Sequence, residues 1–424
     1  MTDRINPKKP ELTLIRGGKS TTAGFLTLPF PDKVTRIREE PAKKRMELIL
    51  ADPEGERLTR ALKPQELFWT LMEIGMTDAL ELLEYASPEQ WEFFLDMELW
   101  EQSAVSQAKA LEWLGHLMEA GEEKLVGQLP YLDIELLLAI LTREITVGGG
   151  VGDLTSDEER IADWDHTFDN LYFITFRNPK NARVIGTLLD MIHRRNNPLY
   201  RTLMEGVKNE VESEMEEEAF QLRNGRLADL GFPSREEAVF IYARIDPASF
   251  APAKEKKHLS RSEEGGLTVP LKDDSLLARA LQKLGSEELG QELAYLVNNA
   301  LVAEETPVSD SATMQSILQR VAGYLTIALE FLGGDDVERA CGILEREPLK
   351  RLFQLGHSIV QQARKKAGMV AGVDYATGKA LNGLKAERPR FYRGLDSDRV
   401  DGYREFSGMA DVRRVEEFLE KLTG

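Results

Sequence analysis

The densest run of chemistry-bearing residues is Asp163-Trp164-Asp165-His166-Thr167-Phe168-Asp169. Carboxylates and an imidazole at this spacing have the donor types for a divalent metal, and close carboxylates can divide acid and base work. The run also alternates Trp164, His166 and Phe168 before an aromatic and β-branched stretch, 170–176. That alternation predicts a β-hairpin over 163–176 with Asp169-Asn170 at its turn, and the hairpin is the expected role. Under the competing reading, a metal-assisted enzyme, Asp163, Asp165, His166 and Asp169 are the candidate ligands. The remaining histidines, His116, His193, His258 and His357, are scattered and form no second cluster. His357-Ser358 has no sequence-assigned partner for a catalytic triad.

Arg388-Pro389-Arg390-Phe391-Tyr392-Arg393 is the most concentrated basic–aromatic patch. Guanidinium forks bind phosphate or carboxylate, and adjacent rings can stack on bases. In an acidic chain, Arg388, Arg390 and Arg393 are expected to dock on acidic helices of this chain or of a protein partner. Nucleic-acid binding through the basic termini is a third, weaker reading.

Three glycine-bearing stretches invite a phosphate-site reading and are expected to be turns. Arg16-Gly17-Gly18-Lys19-Ser20-Thr21 ends like a P-loop, but Thr13 stands where the first glycine is needed. The Gly372–Lys379 stretch is one residue too long, and Ala380 replaces the metal-binding hydroxyl. Gly148–Gly152 follows a helical pattern and has Asp153 at the third glycine position of a dinucleotide fingerprint. Seven glutamates between Glu205 and Glu218 are expected to form the solvated face of one long helix. No catalytic residue and no cofactor is assigned; a divalent metal at 163–169 is the one candidate.

These groups sit in a chain of 424 residues with net charge −18, 42% apolar and 30% charged residues, and a single cysteine, Cys341. The apolar share can build cores, and one cysteine excludes an intrachain disulfide framework. Residues 1–50 hold 11 Lys/Arg and 6 Asp/Glu, and residues 351–424 hold 14 and 10. An acidic body with basic ends argues against a nucleic-acid-binding main body. The start of the chain lacks the apolar stretch of a secretory signal, and no run approaches the roughly 20 apolar residues of a membrane span. A cytoplasmic protein without membrane insertion is expected.

The elements that must position these groups are mostly helices. Prolines at 7, 10, 29, 31, 41 and 53 predict an irregular basic segment over 1–60. Short amphipathic helices with brief turns follow over 61–150, the pattern of a stacked array. Ser87-Pro88-Glu89-Gln90 has the capping-box spacing, and Ser234-Arg235-Glu236-Glu237 repeats it. Residues 151–250 are expected to hold the hairpin plus helices, including a long one through Leu203 to Leu222. A polar stretch, 251–270, is the expected linker. Residues 271–424 read as a C-terminal helical bundle, with Met314, Ile317, Val321, Leu325, Ala328 and Leu332 as its longest stripe. The expected class is mostly α: a superhelical array of short helices, a small β-hairpin insertion and a C-terminal bundle.

Residues 64–146, above all Asp78-Ala-Leu-Glu-Leu-Leu-Glu-Tyr-Ala-Ser-Pro-Glu-Gln-Trp-Glu-Phe-Phe-Leu-Asp96, resemble the N-terminal helical domain of MgtE-type magnesium transporters. The same stretch is similar to helical repeats of the flagellar motor switch protein FliG. The resemblance covers about a fifth of the chain and implies a regulatory superhelix, without a catalytic residue. The whole chain also resembles an uncharacterised bacterial family of unknown function, through Arg226-Leu-Ala-Asp-Leu-Gly-Phe-Pro-Ser-Arg-Glu-Glu-Ala-Val-Phe-Ile-Tyr242, Leu352-Phe-Gln-Leu-Gly-His357 and Arg404-Glu-Phe406. The expected function is a non-enzymatic scaffold or regulatory protein that binds another macromolecule.

Overall fold

The computed structural model describes residues 22–150, 164–253, 256, 274–304, 311–370, 374–397 and 400–423. Within them the chain is mostly α, with 21 helices and three two-stranded antiparallel pairs.

The first described stretch is helical where irregular structure is expected. It forms α1 (Thr22–Leu26), α2 (Phe30–Glu39), α3 (Ala42–Ala51) and α4 (Gly55–Arg60). The prolines start helices here instead of breaking them. Pro29 and Pro41 are the N-caps of α2 and α3, and Pro31 lies in the first turn of α2. A missing N–H costs little at these positions, and the fixed φ favours the helix. A buried ion pair, Lys33 to Asp52 at 2.6 Å, then ties α2 to the end of α3.

The array continues with α5 (Pro64–Ile74), α6 (Leu80–Tyr85), α7 (Pro88–Glu98), α8 (Gln107–Ala120), α9 (Glu122–Gln128) and α10 (Ile134–Glu144). Alternate helices pack on one another: α3 on α5, α5 on α7, α4 on α6 and α6 on α8. Gln90 links the rows. Its side-chain oxygen accepts from the Ser87 N–H at 2.9 Å while the Ser87 hydroxyl accepts from the Gln90 N–H at 3.3 Å. The Gln90 amide also donates to the carbonyls of Thr59 and Leu62 at the end of α4. One side chain thus closes the start of α7 and the end of α4, satisfying groups that helix ends leave orphaned. Among the described residues, no single helix is long and apolar enough to cross a membrane; α9 with its following turn and α10 pass such a test only as a pair bent by 115°. The middle of α10, Leu136 to Thr142, is buried.

A short pair, β1 (Trp100–Glu101) with β2 (Ala104–Val105), joins α7 to α8. The main strand pair is β3 (Ile145–Gly149) with β4 (Tyr172–Phe176), from Ile145 opposite Phe176 to Gly149 opposite Tyr172. The strand expected at 170–176 is therefore present, but its chief partner is the glycine stretch expected to be a turn. The reason is steric. A Cβ on Gly148 would lie 2.3 Å from the Trp164 ring, so only glycine lets that indole cover the strand. The expected hairpin partner survives as one antiparallel bridge, His166 to Ile174, with the turn residue Asn170 at φ +56°.

Next come α11 (Ala182–Arg195), α12 (Asn197–Asn209), α13 (Glu212–Asp229) and α14 (Arg235–Val239). The single long helix expected here is two, broken at Glu210-Val211. Arg143 of α10 causes a fresh start. It donates to Glu212 at 2.7 Å and to both oxygens of Glu216 at 2.9 Å, fixing the first turns of α13. Carboxylates there also suit the positive end of the helix dipole. The expected solvated Glu face is thus partly a packing surface, with Glu205 also accepting from the Tyr172 hydroxyl at 2.7 Å.

The C-terminal body holds α15 (Leu276–Leu284), α16 (Glu287–Ala303), α17 (Ser311–Gly333), α18 (Val337–Leu344), α19 (Leu349–Gly368), α20 (Tyr375–Lys385) and α21 (Met409–Thr423). A last pair, β5 (Phe391–Tyr392) with β6 (Tyr403–Arg404), lies between α20 and α21. Helices α17 and α19 pack together at its centre, with α20 and α21 against α19. Helix α14 packs on α16, although it precedes the expected linker. Of that linker, residues 251–253 and 256 touch the C-terminal body: the Ala253 N–H donates to Glu347, and Lys256 pairs with Glu292. The rest of 251–270 lies outside the described residues. One contiguous apolar core runs from Phe25 to Leu419.

Candidate functional site

Helix α17 carries Thr313, Ser316, Ile317 and Arg320 at three- and four-residue spacing, hence on one face. That face forms one wall of a cleft of about 750 Å³. Asn382, Gly383 and Ala386 at the end of α20 form another wall, and Arg388, Arg390 and Tyr403 close it. Glu304, just past α16, lies at the base beside Arg320.

Arg320 is 3% exposed and fully engaged. Its Nε and Nη2 donate to the two oxygens of Glu405 at 2.9 and 2.8 Å, a bidentate pair. Its Nη1 donates to both oxygens of Glu304. Ser316 adds a hydroxyl donor to Glu405 at 2.8 Å, and the Tyr242 hydroxyl donates to Glu304. Burial works against the Arg320 charge, but the hydrogen bonds and charges of Glu405 and Glu304 outweigh it and raise its pKa. A buried triad of this kind is costly to break, by about 3–5 kcal/mol when one partner is removed.

Two glycines bring the backbone close enough to build it. A Cβ on Gly323 would lie 1.8 Å from the carbonyl oxygen of Phe406. Its absence lets the Glu405-Phe406 segment press on α17 and deliver the carboxylate. A Cβ on Gly356 would lie 1.9 Å from the Tyr324 carbonyl oxygen, so that position draws α19 onto α17.

Behind the triad, His357 lies among the rings of Tyr242, Tyr324 and Phe353, with centroids 5.2–6.5 Å away. Burial, aided by the charges of Arg244, Arg364 and Arg388, lowers its pKa to about 4. The ring is therefore neutral near pH 7. Gln361 Nε2 lies 3.1 Å from its Nε2, and its buried Nδ1 has no hydrogen-bond partner among the described residues. Burial raises the hydroxyl pKa values of Tyr242 and Tyr324, which leaves both neutral. Ser316 donates to a carboxylate that also accepts two hydrogen bonds from Arg320. The arrangement suits recognition of charge better than proton transfer.

The residues singled out in the sequence are distributed as follows. Arg388 and Arg390 line the cleft, with Nε 3.4 Å from Glu304 and 3.7 Å from Glu405 respectively. Arg388 also lies over the Tyr242 ring at 5.4 Å. Arg393 is exposed on the turn after β5 and does not line the cleft. Asp163 and the Arg16–Thr21 stretch lie outside the described residues, as do Gly372 and Val373. Gly378 is inside α20. Asp165 accepts from the Phe176 N–H at 2.9 Å. Asp169 accepts from the N–H groups of Leu171 and Tyr172 at 2.9 and 3.0 Å. The His166 ring meets Phe168 edge-on at 4.3 Å, and Phe168 stacks on His193. These side chains shape the turn before β4. Among the described residues, no three His, Cys, Asp or Glu side chains are grouped to hold a metal.

Sequence reasoning passed over Arg320, Glu304 and Glu405. One signal was available: Arg320 interrupts the buried stripe of α17 between Ile317 and Val321, where an unpaired charge could not stay.

No curated protein and no solved structure matches the chain. The resemblance of residues 64–146 to transporter and motor-switch helices is thus not supported by these comparisons. Residues 23–423 match the model of a family of unknown function, DUF6178. A match over nearly the whole length shows the family, and the chain belongs to DUF6178.

Proposed function

We propose that this protein is a non-enzymatic helical scaffold or regulatory protein whose ligand is another protein. The packing order of α3 to α8 carries the reading, because stacked short helices commonly present extended binding surfaces. The test is affinity purification with the full chain as bait, followed by cross-linking and mass spectrometry. The expected result is one stoichiometric protein, cross-linked to lysines of the array such as Lys43, Lys44, Lys63 and Lys109. Repeated recovery of no partner, or cross-links confined to the C-terminal body, counts against it.

The metal-assisted enzyme reading has less support, because Asp165 and Asp169 spend oxygens on backbone N–H groups. Stoichiometric bound metal lost in an Asp165→Asn/His166→Ala double variant would reverse that preference. Nucleic-acid binding through the basic termini is weakened at the C-terminal end by the acidic partners of Arg388 and Arg390, and residues 1–21 lie outside the described residues.

A further inference from the structure

The cleft beside α17 carries a charge that its own lining leaves unbalanced. Three guanidiniums, Arg320, Arg388 and Arg390, face two carboxylates, Glu304 and Glu405. Arg320 reaches both carboxylates first, and Ser316 and Tyr242 take further lone pairs. Each carboxylate thus accepts three hydrogen bonds of the roughly four it can take, and Arg388 and Arg390 stand farther off, at 3.4 and 3.7 Å. Arg390 stands 3.7 Å from Glu405, beyond hydrogen-bond reach, with its side chain 52% exposed. It makes no side-chain hydrogen bond among the described residues.

Its position is nevertheless fixed. The Arg390 N–H donates to the Gly383 carbonyl at 2.9 Å, and the next residue, Phe391, is fully buried. Arg388 is anchored over Tyr242 and donates to the Ala303 carbonyl. Asn382, Ile317 and Ala386 complete the walls. A volume near 750 Å³ suits a small molecule, since ligand sites span roughly 300–1,000 Å³.

We propose that this cleft binds a small ligand bearing a phosphate or carboxylate group, held in the guanidinium fork of Arg390 with Arg388 beside it. The planar fork matches either anion, and the carboxylates that would compete for it are bonded first to Arg320. This inference is independent of the protein-partner reading.

The experiment is calorimetric titration of the full chain with inorganic phosphate and, separately, with succinate, at constant ionic strength. Saturable binding of at least one is expected; phosphate alone would indicate a phosphoryl ligand, succinate alone a carboxylate. Arg390→Ala, a half-exposed position whose fold is checked by circular dichroism, should weaken that binding about tenfold or more. Arg390→Lys, which keeps the charge and loses the fork, should fall between, and Arg393→Ala should bind like the unaltered protein. No saturable binding of either probe, affinity retained in Arg390→Ala, or an equal loss in Arg393→Ala would overturn the proposal.

Discussion

Arg320 and His357 are both almost fully buried, at 3% and 5% exposed, yet one keeps its charge and the other gives it up. The difference lies in their neighbours. Arg320 has two carboxylates within hydrogen-bond reach, whereas His357 has rings, an amide and the positive charges of Arg244, Arg364 and Arg388. The histidine pKa, about 4 in the folded chain, lies below its ordinary value of 6.5. Between these values the unfolded chain binds a proton that the folded chain refuses. The associated stability is therefore present above pH 6.5 and is lost as pH falls toward 4. His357→Phe removes this linkage while keeping a ring of similar shape. Urea unfolding at pH 7 and pH 4.5 should show the unaltered protein losing about 2 kcal/mol more than the variant between the two conditions. A gap between the two proteins that stays the same at both pH values would show that the ring does not titrate in this way.

Helix positions and helix contacts differ in how much of them can be read from sequence. Apolar stripes locate α17 and the helices of the array, and the Ser87–Gln90 spacing marks the start of α7, because these signals are local. Proline spacing misleads over 22–60, since a proline that starts a helix and one that breaks it look alike until the following turn is packed. The break before α13 is set by Arg143, 69 residues before Glu212. The triad is less legible still. Arg388 and Arg390 stand out as a basic cluster, but Arg320 finds its partners 16 and 85 residues away. Gly356 shows the same long-range control, because nothing in Leu355-Gly356-His357 announces that Tyr324 passes against it. Gly356→Ala would press a methyl group onto a backbone carbonyl that has no rotamer to yield. Separating α17 from α19 should cost about 3 kcal/mol or more, beyond the usual 1–3 kcal/mol of overpacking. Far-UV circular dichroism during thermal unfolding measures it, and a variant as stable as the parent would mean that the helices can part freely there.

The two halves of the molecule meet at the corner between α13 and α14. Gln65 of α5 donates to the Leu230 carbonyl at 3.1 Å, and Asn298 of α16 donates to the Gly231 carbonyl at 3.2 Å. Gly231 is at φ +82°, which turns the two carbonyls without a Cβ penalty. Phe232, 2% exposed, then packs near Phe93 of α7, while α14 goes on to α16. Helix α5 also touches α17 directly. A continuous core joined through such a corner should unfold in one calorimetric transition. Gln65→Ala and Asn298→Ala each leave a carbonyl without its donor and should cost about 1–2 kcal/mol. Because both act on adjacent peptide groups of one turn, their effects should not add. A double-mutant cycle should return a coupling of about 0.5 kcal/mol or more. Additive effects together with two separate transitions would instead mean that the array and the C-terminal body fold as independent units that merely touch.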